Sequence, residues 1–148
     1  MQIEGTYKMK APREAVFQAM MNPDILSKAI PGCEKLVHLG DNKYEMSIKI
    51  GVAAVKGTYA GKIQLDDIVV PESYKMAVEG SAFPGAIKGL VVIRLADEGG
   101  NTNVSYSGDV QVSGTIAAVG TRFMGMTAKM LVGKFFDGFA KEIGKASA

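Results

Sequence analysis

The 148-residue sequence contains one cysteine, one histidine and no tryptophan. Cys33 alone excludes a disulfide within the chain, and Cys33 with His38 cannot build a Cys/His zinc cluster. Net charge is also scarce: +2 is too small to argue for a nucleic-acid surface. No apolar run approaches the roughly 20 residues that a membrane-spanning helix needs. The opening MQIEGTYKMK lacks the apolar segment of a secretory signal. These absences lead to the expectation of a cytoplasmic chain, soluble or peripheral to the inner face of a membrane. The length suits one domain over 1–143, with 144–148 as a short tail. What the chain has in surplus is apolar or small, with 18 glycines and 9 methionines among its residues.

Gln2–Met9 reads as a strand. Pro12 and Glu14 suit the first turn of a helix over Arg13–Met21, and Asn22 can cap a second short helix that has Pro23 at its start. The middle of the chain alternates with period two, as half-buried antiparallel strands do. With the segments 2–9 and 34–39, about seven strands are expected, in meander order. After Gly114 the pattern becomes helical to about Ile143. A sheet with one apolar face needs a cover, and only the last helix is long enough. The expected class is α+β: a curved antiparallel sheet wrapped around a long C-terminal helix, with two short helices after the first strand.

The apolar parity of successive strands carries Tyr44, Met46 and Ile48, then Tyr59, Gly61 and Ile63, then Tyr74, Met76, Val78 and Gly80. It continues through Ile87, Gly89 and Val91, then Tyr106, Gly108 and Val110. If the turns centre on Val70-Pro71, Pro84-Gly85 and Glu98-Gly99, then Gly61, Gly80, Gly89 and Gly108 form a row across the inner face. Such a row either bends the sheet or leaves room for a ligand. The connections at one end of the sheet are polar. Those at the other, residues 51–57, 81–85 and 114–120, are apolar and rich in glycine. They either plug the barrel end or form a mouth for an apolar guest, entered past Val55, Phe83 and Val119.

The apolar stripe of the last helix turns around Gly133, so a bend or a change of packing partner is expected there. Its early half, with Phe123, Thr127 and Met130, is the expected helical wall of a binding site. Its methionines suit either variable apolar contacts or core filling.

Reactive chemistry is sparse. His38 reads as a solvent-facing strand residue beside a turn, and Cys33 as a small turn residue without a base to activate it. There is no phosphate loop and no dinucleotide fingerprint. The inward parity holds the phenols of Tyr44, Tyr59, Tyr74 and Tyr106 but no His, Asp, Glu or Lys. General acid–base work needs such a group, whereas phenols suit hydrogen bonding to a carbonyl or quinone oxygen, or simply closing the barrel ends. No catalytic residue, metal or cofactor is expected.

Three stretches and one pair carry a resemblance: Ala29-Ile30-Pro31-Gly32-Cys33-Glu34, residues 55–62 (VKGTYAGK), residues 114–122 (GTIAAVGTR) and Phe135-Phe136. With the order of elements, they make the chain resemble the CoxG family, the G subunits of carbon monoxide dehydrogenase, in the START-like, helix-grip superfamily (SRPBCC), to about Ile143. The resemblance implies a binding or accessory protein rather than an enzyme, associated with molybdenum-containing CO dehydrogenase or related hydroxylases and linking them to the membrane and its quinones. Family members often carry a further C-terminal segment for membrane attachment. Here the last residues, 144–148, are not apolar, which leaves transient membrane contact through the apolar mouth. The leading expectation is therefore a carrier or accessory protein for a lipid or quinone-like molecule. The alternatives are a factor that recruits or matures a molybdenum hydroxylase without ligand binding, and an enzyme acting on an aromatic or polyketide-like substrate.

Overall fold

The computed structural model describes residues 1–51, 56–82, 85–114 and 120–147, with only the backbone described at 82, 121, 123 and 145–147. Strand β1 (Gln2–Met9) leads into α1 (Arg13–Met20) and α2 (Pro23–Ala29). Both helices start as their sequences dictate: Pro12 stands at the cap of α1, and the Asn22 side chain accepts from the Asp24 amide at 3.0 Å. The meander then runs through β2 (Cys33–Gly40), β3 (Lys43–Ile50), β4 (Gly57–Val69), β5 (Ser73–Ala82), β6 (Gly85–Glu98) and β7 (Asn101–Ser113). Helix α3 (Thr121–Ser147) follows, so the residues expected as a tail from Gly144 are helical through Ser147. Lys145 and Ala146 are good helix formers, and one glycine before them lowers helicity without ending the helix.

The strands form one antiparallel sheet in the order β1-β7-β6-β5-β4-β3-β2, the expected curved sheet with a long C-terminal helix against it. The two turns that could be read most directly carry left-handed residues, Asp41-Asn42 and Gly99-Gly100. The second corrects the expected register. The turn centres on Gly99-Gly100, so Glu98 pairs with Asn101 and Gly108 stands opposite Val91 rather than Gly89. A centre displaced by one residue slides the partner strand by two. Likewise Ala82 pairs with Gly85, which sets Gly80 against Ile87 and Gly89 against Val78. Only Gly61 and Gly80 face each other, and the expected row becomes a staircase.

Its steps differ in kind. A Cβ on Gly108 would meet the Leu90 carbonyl and lie 2.8 Å from Val91 Cα, and one on Gly89 would lie 3.1 Å from the Asp109 carbonyl. These two glycines serve close approach of neighbouring backbone where the sheet curves. A Cβ on Gly61 would meet the movable Met46 side chain, and one on Gly80 would find nothing nearer than 3.9 Å.

The core lies over the β1, β7 and β6 side of the sheet. Val91, Ile93, Leu95 and Val104 are buried there beneath Phe136, Phe139 and Ile143 of α3, with Val16 and Phe17 of α1. Tyr7 of β1 stacks on Phe136 at 4.9 Å and donates its hydroxyl hydrogen bond to Asp137, which fastens the edge strand to the helix. Helix α3 crosses α2 closely at Gly138, where an added Cβ would lie 3.3 Å from the Ala29 carbonyl. The expected change of packing partner along α3 is present. Met124 packs with Tyr59, Ile87 and Val112, whereas the residues after Gly133 join the main core.

Candidate functional site

Beside the core residues Tyr44, Leu65 and Tyr74, the inner face of β3, β4 and β5 borders a cavity of about 390 Å³. Its floor is Tyr44, Met46 and Ile48 of β3, Tyr59, Gly61 and Ile63 of β4, and Tyr74, Met76, Val78 and Gly80 of β5, with Ile87 of β6. Ile48, Ile63, Met76 and Val78 point inward and line the cavity while only half-buried, and Ile63 and Met76 also pack against the core.

Strand parity points to all of these residues, and the structure brings them together. Others it places elsewhere. Val91 is in the packed core, Tyr106 stacks on Phe136 at 6.2 Å, and Gly89, Gly108 and Val110 lie on the covered side of the sheet. None of them lines the cavity. Thr127 is buried away from it, and Met130 is 40% exposed, facing solvent rather than a guest. The expected entry residues Val55, Phe83 and Val119 lie outside the described residues, as does the Phe123 side chain. The strand ends that flank these segments do share one end of the sheet, with Ile50 beside Gly57 and Ala86 beside Ser113.

The helical wall is formed by Leu131, Val132 and Phe135, one turn later than expected. A second wall escapes the sequence reading altogether: Leu26 and Ile30 at the end of α2, Pro31 after it, Met20 of α1 and Leu36 of β2. The spacing of Leu26 and Ile30, one helical turn apart, is the available signal.

Polar groups in the cavity are few. Tyr44, Tyr59 and Tyr74 are nearly fully buried, and the Tyr74 hydroxyl donates to Met20 Sδ at 3.5 Å while its ring meets Phe17 edge-on at 5.8 Å. Lys62 and Glu79 border the space through backbone, their side chains standing on the outward parity and exposed. His38 is exposed, as expected, but pairs with Tyr44 across the strands and stacks on its ring at 4.8 Å. The inner parity thus does carry a histidine, at the rim beside the cavity. Cys33 opens β2 instead of sitting in a turn, and burial pushes its thiol pKa up, against a smaller lowering from the Lys35 backbone. Among the described residues, no group of three His, Cys, Asp or Glu side chains could hold a metal ion.

Burial raises the pKa of Tyr44, Tyr59, Tyr74 and Tyr106, and the hydrogen bond to Asp137, followed by burial, raises that of Tyr7. All remain protonated donors at neutral pH. The folded state holds these phenolic protons more tightly than the unfolded chain does, whose tyrosines titrate near 10.0. The stability they contribute is complete below that value and is lost as pH rises through the raised folded values. Denaturant unfolding followed along an alkaline pH series should show no tyrosine-linked loss below pH 10.0 and a steep fall above it. Tyrosine ionisation at its unperturbed pKa, with no accompanying loss of stability, would contradict this burial.

The model of the CoxG family, the G subunits of carbon monoxide dehydrogenase, matches residues 5–144. No curated protein matches the chain. A conserved protein from Geobacillus kaustophilus of known crystal structure is 38% identical, with a TM-score of 0.95 over 99% of this chain and 97% of that one. A START superfamily protein from Mycobacterium smegmatis superposes with a TM-score of 0.77 over 98% of both chains at 10% identity. A protein from Thermus thermophilus does so with a TM-score of 0.74 over 100% of both at 14% identity. The last two comparisons establish a START-like fold and nothing finer.

Proposed function

Because this chain belongs to the CoxG family of carbon monoxide dehydrogenase G subunits, we propose that it holds an apolar small molecule, a lipid or a quinone-like ring, in the cavity between α3 and β3–β5. Family and fold together give it a ligand-binding or accessory role. The observation that supports the finer reading is the cavity itself, lined by inward apolar side chains that stay half-buried. A sheet face folded only for stability would bury Ile48, Ile63, Met76 and Val78 under the helix. The volume lies in the range of small-molecule sites.

Burying about 300 Å² of apolar ligand surface contributes roughly 7 kcal/mol before ordering costs. The protonated phenol of Tyr44 orients the guest by donating to a carbonyl oxygen, a bond worth about 1 kcal/mol net, while the Tyr74 hydroxyl already donates to Met20 Sδ. The guest would be carried to or from an enzyme of the molybdenum CO dehydrogenase type, with transient contact at a membrane surface. Among the described residues, no helix is long and apolar enough to cross a membrane.

Native mass spectrometry of gently purified protein, followed by fluorescence titration with a short-chain menaquinone analogue, tests the reading. A bound mass, or saturable binding at one equivalent, supports it. A guest-free protein that takes up neither the quinone nor a fatty acid overturns it.

A further inference from the structure

The outer face of the sheet carries a second concavity, an open groove of about 500 Å³. Two cross-strand rows run through it, all of their residues but Ser47 lining the groove. One row is small, with Ser47, Ala60, Ser81 and Ala86 in register on β3 to β6. The next is charged and alternates in sign, Glu45, Lys62, Glu79 and Lys88. All four charged side chains are exposed. Within the chain the alternation closes into one long ion pair, Lys88 with Glu79 at 4.0 Å, while Glu45 and Lys62 make no ion pair among the described residues. A second alternating pair, Asp66 beside Lys75, lies further along β4 and β5 on the same face, with Lys75 also paired to Asp67 at 3.0 Å within the chain.

We infer that this groove is the meeting face of two copies of the chain, related by a two-fold axis running along the strands between β4 and β5. A symmetric dimer must present one patch to itself, so each residue is matched to the residue the axis carries onto it. An axis in this position exchanges β4 with β5 and β3 with β6. Lys62 of one copy then faces Glu79 of the other, Glu45 faces Lys88, and Asp66 faces Lys75. Each of these pairs occurs twice, and no like charges meet in these rows. An axis laid along the charged row would set each of its charges on itself. Ser47 meets Ala86 and Ala60 meets Ser81, so the small row lets the two sheets approach to roughly 10 Å, the spacing of packed sheets.

The extent is that of a weak interface. Strands about 4.8 Å apart and rows about 6.7 Å apart give the face from β2 to β7 a flat projection on the order of 500 Å². That is below the roughly 800 Å² that each partner of a standard interface buries, as suits a dimer that dissociates on dilution. The dimer covers the face of the sheet opposite the cavity, and the two hollows meet across the sheet at Met46, Gly61, Lys62, Glu79, Gly80 and Ile87.

Sedimentation velocity over a dilution series at low salt tests it, with circular dichroism confirming the fold of each variant. The wild-type chain should sediment as a dimer that dissociates on dilution and with rising salt. Lys62→Glu sets like charges face to face at two symmetry-related places and should weaken the dimer by about tenfold or more. Adding Glu79→Lys restores opposition with the signs exchanged, and should restore the dimer. Ala60→Gln leaves every charge in place and should also weaken it, so it reads the same face if Lys62→Glu fails to fold. A wild-type chain that is monomeric at every concentration overturns the inference. So does a dimer that neither Lys62→Glu nor Ala60→Gln affects, or a charge-reversed dimer that Glu79→Lys does not rescue.

Discussion

Replacing Gly80 with phenylalanine should reduce affinity for an apolar guest by about tenfold or more, while the melting temperature stays level or rises. Gly80 sits on the inner parity of β5 and lines the cavity, and a Cβ there would have no atom nearer than the Ala60 carbonyl at 3.9 Å. Its φ is not in the left-handed region, so an L side chain fits the backbone without strain. The ring would project into space that is already apolar, and filling such a void stabilises a fold. Phenylalanine also suits a strand better than glycine does. The substitution therefore separates occupancy from folding, which a truncation in the lining cannot do. Fluorescence titration with the quinone analogue, alongside thermal unfolding, checks both halves. Undiminished binding in a stable Gly80→Phe protein would place the guest elsewhere. The neighbouring Gly61 is a poorer choice, because its added Cβ would press on Met46 at 2.9 Å.

Phe139→Ala should cost about 3–5 kcal/mol of stability, read as a lower denaturant midpoint at unchanged slope. The Phe139 ring is fully buried and stacks on Phe135 at 5.6 Å. It belongs to the cluster of Phe136, Ile143, Val16 and Phe17 that holds α3 and α1 to the sheet. Nothing short of a shift of the long helix can refill the space that the ring leaves. A loss of this size is a large share of the roughly 5–15 kcal/mol typical of a whole domain. For a chain of this length it corresponds to a fall in melting temperature on the order of 10 °C. A change below about 1 kcal/mol would mean that the core does not lie where these contacts put it.

The order of elements is legible in the sequence because each local signal is strong. Period-two alternation marks the strands, Asn22-Pro23 marks a helix start, and the glycines mark turns. The inward parity of β3, β4 and β5 is equally legible, and with it the floor of the cavity, Tyr44 through Gly80. Two things are not legible, for separable reasons. Register depends on which residue pair occupies a turn. Glu98-Gly99 and Gly99-Gly100 are both plausible turn pairs by composition, and only the left-handed φ values of Gly99 and Gly100 decide between them. The lateral position of α3 over the sheet is hidden as well, since periodicity tells which face of a strand is apolar but not which strands the helix covers. Tyr106 and Tyr59 look alike in sequence. One lies beneath Phe136 and the other beside the cavity, because α3 rests toward β1. The same displacement brings Leu131, Val132 and Phe135 to the cavity and leaves Met130 outside it.

The attachment of Tyr7 to Phe136 and Asp137 makes the two borders of the sheet unequal. At β1 the border is latched to the long helix by a stacked ring and a hydrogen bond. At β2 the border strand has irregular pairing near both of its ends, and Val37 and Leu39 stand exposed on it. Leu36 of that strand, Leu26 of α2 and Ile30 just after that helix are cavity walls on this side. The molecule is therefore built like a clasped purse, with its seam on the side of α2 and β2. If the cavity holds the proposed guest, guests of different girth should be accommodated at that seam rather than at the clasp.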